Sequence, residues 1–446
     1  GCDRRDGWVG LSSWPQRLEA SPGWEAQTIY ESEMALFNEC RERHAHIALD
    51  TADIVRDGDF SPITLANDAD ILQFGSKFPG GLNVATCLLS LFCLRRDCWP
   101  PSPEAAVPVD TLAIENGSFD IRDFRFGTGE TLPDLHLHYL TLGTLHRDAA
   151  GHADNVVLLL HATGGNAHSL LNPVFSDVLF GPGQALDITR FFIVLPDDIG
   201  HGESSKPSDG LRMKFPHYTY DDMVRSQHEM LVDGLHVDHL RLILGTSMGC
   251  MQSFVWGETY PQFADALAPF ACLPIEIAGR NRMWRYMSMQ SIRDDPAWDN
   301  GNYTHEPVEG LRGVADFLII AGSAPQQMQK DFPTRQQAED YVNRAVNAIV
   351  ARTDANDFLY YVNASREYNP EPKLNTITAP VLWINSADDF INPPELEIAQ
   401  KLVTRMPHAR FILIPASMET YGHGTHTEAA VWKNYLIELL RESAKK

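Results

Sequence analysis

Positive charge is what this chain is short of. Its 446 residues carry 36 Lys and Arg against 59 Asp and Glu, a formal net charge of -23. Nucleic acid and anionic membrane surfaces are recognised by basic patches, and no Lys/Arg cluster stands out, so neither partner is expected. The one candidate targeting segment, Val84 to Leu94 before Arg95-Arg96, is too short to span a bilayer. As a signal-peptide core it has its charges on the wrong side, which leaves a buried helix as the expectation. Cysteine is sparse beyond residue 100: five of seven precede it (Cys2, Cys40, Cys87, Cys93, Cys98) and only Cys250 and Cys272 follow. That odd total does not read as a disulfide framework, so a reducing, cytoplasmic compartment is expected. Asn-x-Ser/Thr triplets at Asn116, Asn302 and Asn363 decide nothing without a secretion signal. The chain opens on Gly1 rather than Met, which points to a missing or trimmed N-terminus.

Cofactor and metal signatures are missing too. There is no Gly-x-x-x-x-Gly-Lys phosphate loop, and Gly164-Gly165 lacks the rest of a dinucleotide fingerprint. His228-Glu229 opens like a zinc-protease helix, but Val232 stands where the second histidine would have to be. His44 and His46 have no cysteine or carboxylate at ligand spacing and read as surface residues. No cofactor and no metal is expected; the expected partner is a small molecule. Oligomeric state stays open, a homodimer included.

What is present is ordinary globular texture, 44% hydrophobic and 21% charged, in a chain long enough for two domains or for one domain with an insertion. Residues 1–108 read as an N-terminal extension of unknown fold, leaving through the stiff Trp99-Pro100-Pro101-Ser102-Pro103. After it, alternating strands and helices mark a core in two parts, 109–274 and 376–446, around a helical cap at 275–375. Phe119 to Phe126 and Leu135 to Leu142 alternate apolar with polar residues, as antiparallel strands do. Val156 to Leu160 and Phe191 to Leu195 are continuous apolar runs, the mark of strands buried on both faces, and strands resume after the cap with Val381 to Ile384 and Phe411 to Ile414. Helices are expected at Tyr220 to Leu235, Thr334 to Arg352 and about Glu428 to Glu442. Strand, Gly-rich loop, helix, strand is the α/β pattern: a mostly parallel sheet flanked by helices, with a cap over the strand C-termini, where such sheets bind ligands.

The strand Leu240 to Leu244 runs into Gly245-Thr246-Ser247-Met248-Gly249, and a helix-capable segment follows. Gly-x-Ser-x-Gly between strand and helix presents a serine on a sharp turn, with small residues letting the two elements pack closely. The helix N-terminus then favours developing negative charge beside Ser247. A serine hydroxyl needs a base, and the base an orienting acid. The Val381 strand leads to Asp388-Asp389, and the Phe411 strand to Tyr421-Gly422-His423-Gly424-Thr425-His426. This is the Ser, Asp, His order of such folds. Asp389 is preferred to Asp388 because the loop's proline follows four residues later, with Asp388 left to cap the turn. His423 is preferred to His426 because Gly422 and Gly424 let the backbone carry it inward. A metal site at His423 and His426 has no third ligand. The oxyanion needs two amides: Met248, directly after the serine, and Thr163 in the glycine-rich His161 loop. His161 itself is read as bonding loop backbone, and Asp197-Asp198 as capping a turn.

Residues from about 130 to 435 resemble the homoserine O-acetyltransferase-like branch of the α/β-hydrolase superfamily. The resemblance is carried by Gly181-Pro182-Gly183 with Asp187 to Phe192, Phe215-Pro216 with Tyr220 to Val224, Gly245 to Gly249 with Met251-Gln252, Asp295-Pro296-Ala297-Trp298 with Gly301-Asn302-Tyr303, Asp354-Ala355-Asn356, and Tyr421-Gly422-His423. It implies an α/β-hydrolase fold and a Ser-His-Asp triad at Ser247, His423 and Asp389, working through an acyl-serine. Two departures bear on substrate. His161-Ala162-Thr163-Gly164-Gly165 replaces the acetyltransferases' His-Ala-Leu-Thr-Gly, and Asp198-Ile199-Gly200-His201-Gly202 replaces their Asn-x-Leu-Gly. In addition, the arginine that helps hold the amino-acid carboxylate in that family is matched here by Met289. Burying a carboxylate without a cation is costly, so homoserine fits poorly unless Arg285 or Arg293 compensates. The expectation is a carboxylesterase acting on small, acetate-type esters. The rivals are an acyl-CoA-dependent O-acetyltransferase using homoserine, serine or another hydroxyl, and a non-catalytic binding protein on the same scaffold.

Overall fold

The structure, a computed structural model, describes residues 113–444. The expected N-terminal extension, with His44, His46 and the Val84 to Leu94 run, lies outside them. Eight strands form one sheet: β1 (Ile114–Arg125), β2 (Thr131–Leu142), β3 (Val156–Leu160), β4 (Phe192–Pro196), β5 (Leu242–Thr246), β6 (Leu267–Phe270), β7 (Val381–Ser386) and β8 (Ala409–Ile414). Their order is β1-β2-β4-β3-β5-β6-β7-β8. Only β2 runs against the rest, pairing antiparallel with both β1 and β4. The inner strands β3 to β7 are buried along their whole length, which is why they read as unbroken apolar runs.

Side chains of a strand alternate between faces, and β3 divides accordingly. Val156, Leu158 and Leu160 enter one core and Val157 and Leu159 the other. On the second face lie α1 (Pro173–Leu179) and, from the end of the chain, the helix containing Trp432, Leu436 and Leu439. The first face holds α2 (Tyr220–Glu229) and α3 (Met248–Thr259). The helix expected to run on to Leu235 changes at Met230–Gly234 into a wider π turn.

Strand β6 has no counterpart among the expected strands. It is four residues, Leu-Ala-Pro-Phe, and a proline argues against a central strand. Pro269 sits opposite Gly245 in the parallel ladder, and the two ends of the strand make bonds the sheet needs: Leu267 N–H donates to Pro380 O and Phe270 O accepts from Ser247 N–H.

Between β6 and β7 the chain is helical: α4 (Gly279–Asp294), α5 (Val308–Gly322), α6 (Pro325–Asp331), α7 (Arg335–Arg352) and α8 (Ala355–Asn363). Met289, Ile292, Leu311, Val314, Phe358 and Leu359 give this insertion an apolar core of its own. Asp357 joins it to the sheet domain, accepting from Ser208 N at 2.8 Å and Ser208 Oγ at 2.7 Å. After β7 come α9 (Ile398–Leu402) and the closing α10 (Ala429–Glu442). Among the described residues no helix is long and apolar enough to cross a membrane.

Cys250 and Cys272 form a disulfide, with Cα atoms 5.9 Å apart. This overturns the reading of a catalytic part without disulfides. Helix α3 returns alongside β6, so the first turn of the one meets the residue two past the end of the other. Disulfides persist in oxidising compartments, which removes the ground on which a cytoplasmic location was expected.

Two outcomes follow. The bridge closes a loop of 22 residues, so a double Cys250→Ser, Cys272→Ser variant is expected to lose about 3 kcal/mol of stability, read by urea unfolding. Burial first, then the neighbouring Asp354, push Asp357 up from 3.8 to about 7. A folded-state pKa above the unfolded one contributes stability at acid pH that is lost as pH rises through about 7. Asp357→Asn removes that dependence, so its Tm relative to the parent is expected to climb between pH 5 and pH 8.

Candidate active site

Ser247 opens α3 in a conformation that non-glycine residues avoid, φ 54° and ψ -104°. Such strain costs on the order of 1–3 kcal/mol and persists only where surrounding contacts enforce it. Here the flanking amides are taken: Ser247 N–H bonds Phe270 O at 2.8 Å and Gly249 N–H bonds His161 O at 3.0 Å. The glycines are required by space. A Cβ on Gly245 would lie 2.0 Å from Gly249 O, and one on Gly249 2.3 Å from Leu160 O. Both obstacles are backbone. The Met248 amide between them, first in the helix, has no acceptor in its own helix by position.

The two later loops arrive at this turn. Ser247 Oγ lies 2.8 Å from His423 Nε2, and His423 Nδ1 lies 2.9 Å from Asp389 Oδ2. With the carboxylate fixing the proton on Nδ1, Nε2 is left free to accept from the hydroxyl. Asp389 is 2% exposed and its Oδ1 accepts from Ile391 N at 2.7 Å and Asn392 N at 3.1 Å. Burial alone would raise its pKa. The adjacent His423 and the Asn392 donors outweigh that and hold it below the ordinary carboxylate range.

Asp388 stands apart from this line. It accepts from Thr420 Oγ1 at 2.8 Å and Gly422 N at 3.2 Å, so it holds the histidine loop rather than only its own turn. Gly422 has φ 59°, the left-handed region that favours glycine. Gly424 differs from the expectation: a Cβ there would meet Tyr421 Cβ at an ordinary 3.5 Å. His426 lies in the 3-10 turn Gly422–Thr427, before the closing helix rather than in it. Its ring stands edge-on to His423 at 5.3 Å. Burial, reinforced by His423, pushes its pKa down to about 3, which keeps it neutral.

The loop after β3 is braced from behind. His161 Nδ1 meets Ala162 O at 2.9 Å and Nε2 accepts from Asp198 N at 3.3 Å, so the ring bonds backbone as read from sequence. Thr163 follows directly, its Oγ1 buried and unpartnered. Asp197 does hold its turn, accepting from Glu203 N at 2.8 Å, and also binds His138 Nδ1 at 2.8 Å. Asp198 does not cap. It is a buried carboxyl bonded to Gln227 and, at 2.7 Å, to Gln252 of α3. Burial, against the opposing pull of His161, raises its pKa. This link between the β4 loop and the nucleophile helix left no spacing signal in the sequence; only the pairing of two buried glutamines with a buried acid reveals it. His228, far from any metal arrangement, stacks on Tyr260 at 4.0 Å. Among the described residues no group of three His, Cys, Asp or Glu side chains is placed to hold a metal.

A nucleophile elbow after the fifth strand, with an acid and a histidine after the last two, is an α/β-hydrolase arrangement, and the family model for the alpha/beta hydrolase fold matches residues 155–419. A homoserine O-acetyltransferase of Moorella thermoacetica is 32% identical over 360 residues, 70% of this chain and 93% of the relative. The chain belongs to the homoserine O-acetyltransferase-like branch of the α/β-hydrolase superfamily. Crystal structures of a homoserine O-acetyltransferase from Bacillus anthracis and an acetylester hydrolase from Corynebacterium glutamicum share the fold. Each has a TM-score of 0.65 over 73% of this chain, covering 97% and 96% of theirs at 21% and 20% identity.

Because the obstacle at Gly249 is the Leu160 carbonyl, Gly249→Ala is expected to cost about 3 kcal/mol or more, as overpacking against backbone does. Urea unfolding of the variant checks it.

Proposed function

We propose that this protein is a serine carboxylesterase that cleaves small, acetate-type esters. Ser247 Oγ attacks the ester carbonyl while His423 Nε2 takes its proton. The amides of Met248 and Thr163 hold the oxyanion of the tetrahedral intermediate. His423 then returns the proton to the departing alcohol, leaving an acetyl-serine, and water, deprotonated by the same imidazole, releases acetate. Asp389 keeps His423 in the tautomer this needs and stabilises the imidazolium. The hydrogen-bonded line from Ser247 through His423 to Asp389 supports this acyl-serine route.

Water rather than homoserine as acceptor is supported by one observation in the cap. Met289, where the acetyltransferases place a carboxylate-binding arginine, is 1% exposed and packed with Ile292, Leu311 and Val314. The two arginines that could replace it are committed elsewhere. Arg293 is exposed and bonds Gln290 at 3.0 Å, while Arg285 is buried against Trp284, bonded to Asn281 at 2.9 Å and Ser365 at 3.3 Å. The rival reading, transfer of acetyl from acetyl-CoA to homoserine or serine, is favoured by the names of the relatives.

The two separate cleanly in one assay. Hydrolysis of p-nitrophenyl acetate is expected to exceed turnover of acetyl-CoA with homoserine or serine, and the reverse order would overturn the esterase reading. Ser247→Ala is expected to lower kcat by about 10⁴-fold or more and to abolish labelling by a fluorophosphonate.

A further inference from the structure

The short segment that ends β6 touches both halves of the site. Phe270 O accepts the Ser247 amide at 2.8 Å. Ala271, next along, has φ 67°, a left-handed conformation without glycine's freedom, and an outlier of this kind asks for a reason. Its own amide is held by Ile384 O at 2.8 Å, and its carbonyl accepts from Asn392 Nδ2 at 3.0 Å. Cys272 follows, bonded to Cys250 three residues past Ser247, with its carbonyl taken by Trp383 Nε1 at 3.0 Å and Asn385 Nδ2 at 3.1 Å. The segment is thus fixed to the nucleophile helix by a covalent bond and a backbone hydrogen bond.

Asn392 is 4% exposed and spends its amide on two acceptors. Besides the Ala271 carbonyl, Nδ2 donates to Asp389 Oδ2 at 2.9 Å. That is the oxygen which receives His423 Nδ1, and Nδ2 stands 3.5 Å from that nitrogen. A carboxylate rotates about its Cβ–Cγ bond unless each oxygen is claimed. Here Oδ1 is held by two backbone amides and Oδ2 by Asn392 as well as by the histidine.

We propose that Asn392 is a positioning residue of the Ser247–His423–Asp389 line, suspending the Asp389 carboxylate from the Ala271 carbonyl and so referring the acid to the same β6 segment that holds the nucleophile. The proposal rests on the serine esterase reading above. It explains why a left-handed alanine persists beside the site: that φ turns the carbonyl toward Asn392. One N–H of its amide goes to the Ala271 carbonyl and the other to Asp389 Oδ2, so both hydrogens are committed to the carboxylate and its support.

Asn392→Ala and the nearly isosteric Asn392→Asp, assayed on p-nitrophenyl acetate with Tm recorded, test the inference. Misplacing an orienting group by about 1 Å costs on the order of a hundredfold. The expected result is a fall in kcat of about ten- to a hundredfold with KM within twofold, and slower fluorophosphonate labelling of Ser247. Folded variants with kcat within threefold of the parent, or a loss carried by KM alone, overturn the proposal. So does failure of both variants to fold, which assigns Asn392 to the fold. A parent enzyme without Ser247-dependent turnover overturns instead the esterase reading on which the proposal stands.

Discussion

The structure depends on one close approach. Helix α3 leaves β5 at a turn so tight that backbone meets backbone, Gly245 against Gly249 O and Gly249 against Leu160 O. No side chain fits in either place. That contact is what holds Ser247 at φ 54° and brings the Gly249 amide onto His161 O, so the elbow and the loop beside it are placed by the same constraint. Everything brought to Ser247 afterwards, from β7 and β8, is aimed at a point already rigid.

Asp389 and His423 are delivered differently. Asp389 is fixed by donors from its own loop and from Asn392, whereas the loop of His423 is held by Asp388, through Thr420 and Gly422. Two adjacent aspartates therefore do separate work, one facing the imidazole and one gripping the segment that carries it. Behind the β3 loop a third carboxyl, Asp198, joins two glutamines in a dry interior. Its raised pKa is the signature of burial rather than of acid-base chemistry.

Much of this was legible in the amino-acid sequence, for identifiable reasons. A strand buried on both faces must be apolar at every position, so β3, β4, β5 and β7 announce themselves within a residue or two. The nucleophile turn is legible because only glycine tolerates backbone at that distance. Strand β6 was not, because Pro269 breaks the pattern and the parallel ladder accommodates it opposite Gly245. The disulfide was not, since spacing along the chain says nothing about a helix folding back on the next strand. Asn392 and Asp388 were not either, because their roles are set by which carbonyl or amide happens to stand opposite in space.

The covalent tie between Cys250 and Cys272 has a consequence for the order in which the molecule assembles. Both partners belong to a stretch made before any of the cap and before the loops of Asp389 and His423. During vectorial synthesis the elbow, α3 and β6 can therefore be tied together before the last part of the polypeptide has been made. Asp389 and His423 then arrive on segments that dock onto a platform already tied, so a chain cut between Cys272 and Asp389 would keep the bridge and Ser247 but lack both of the side chains that line up with it.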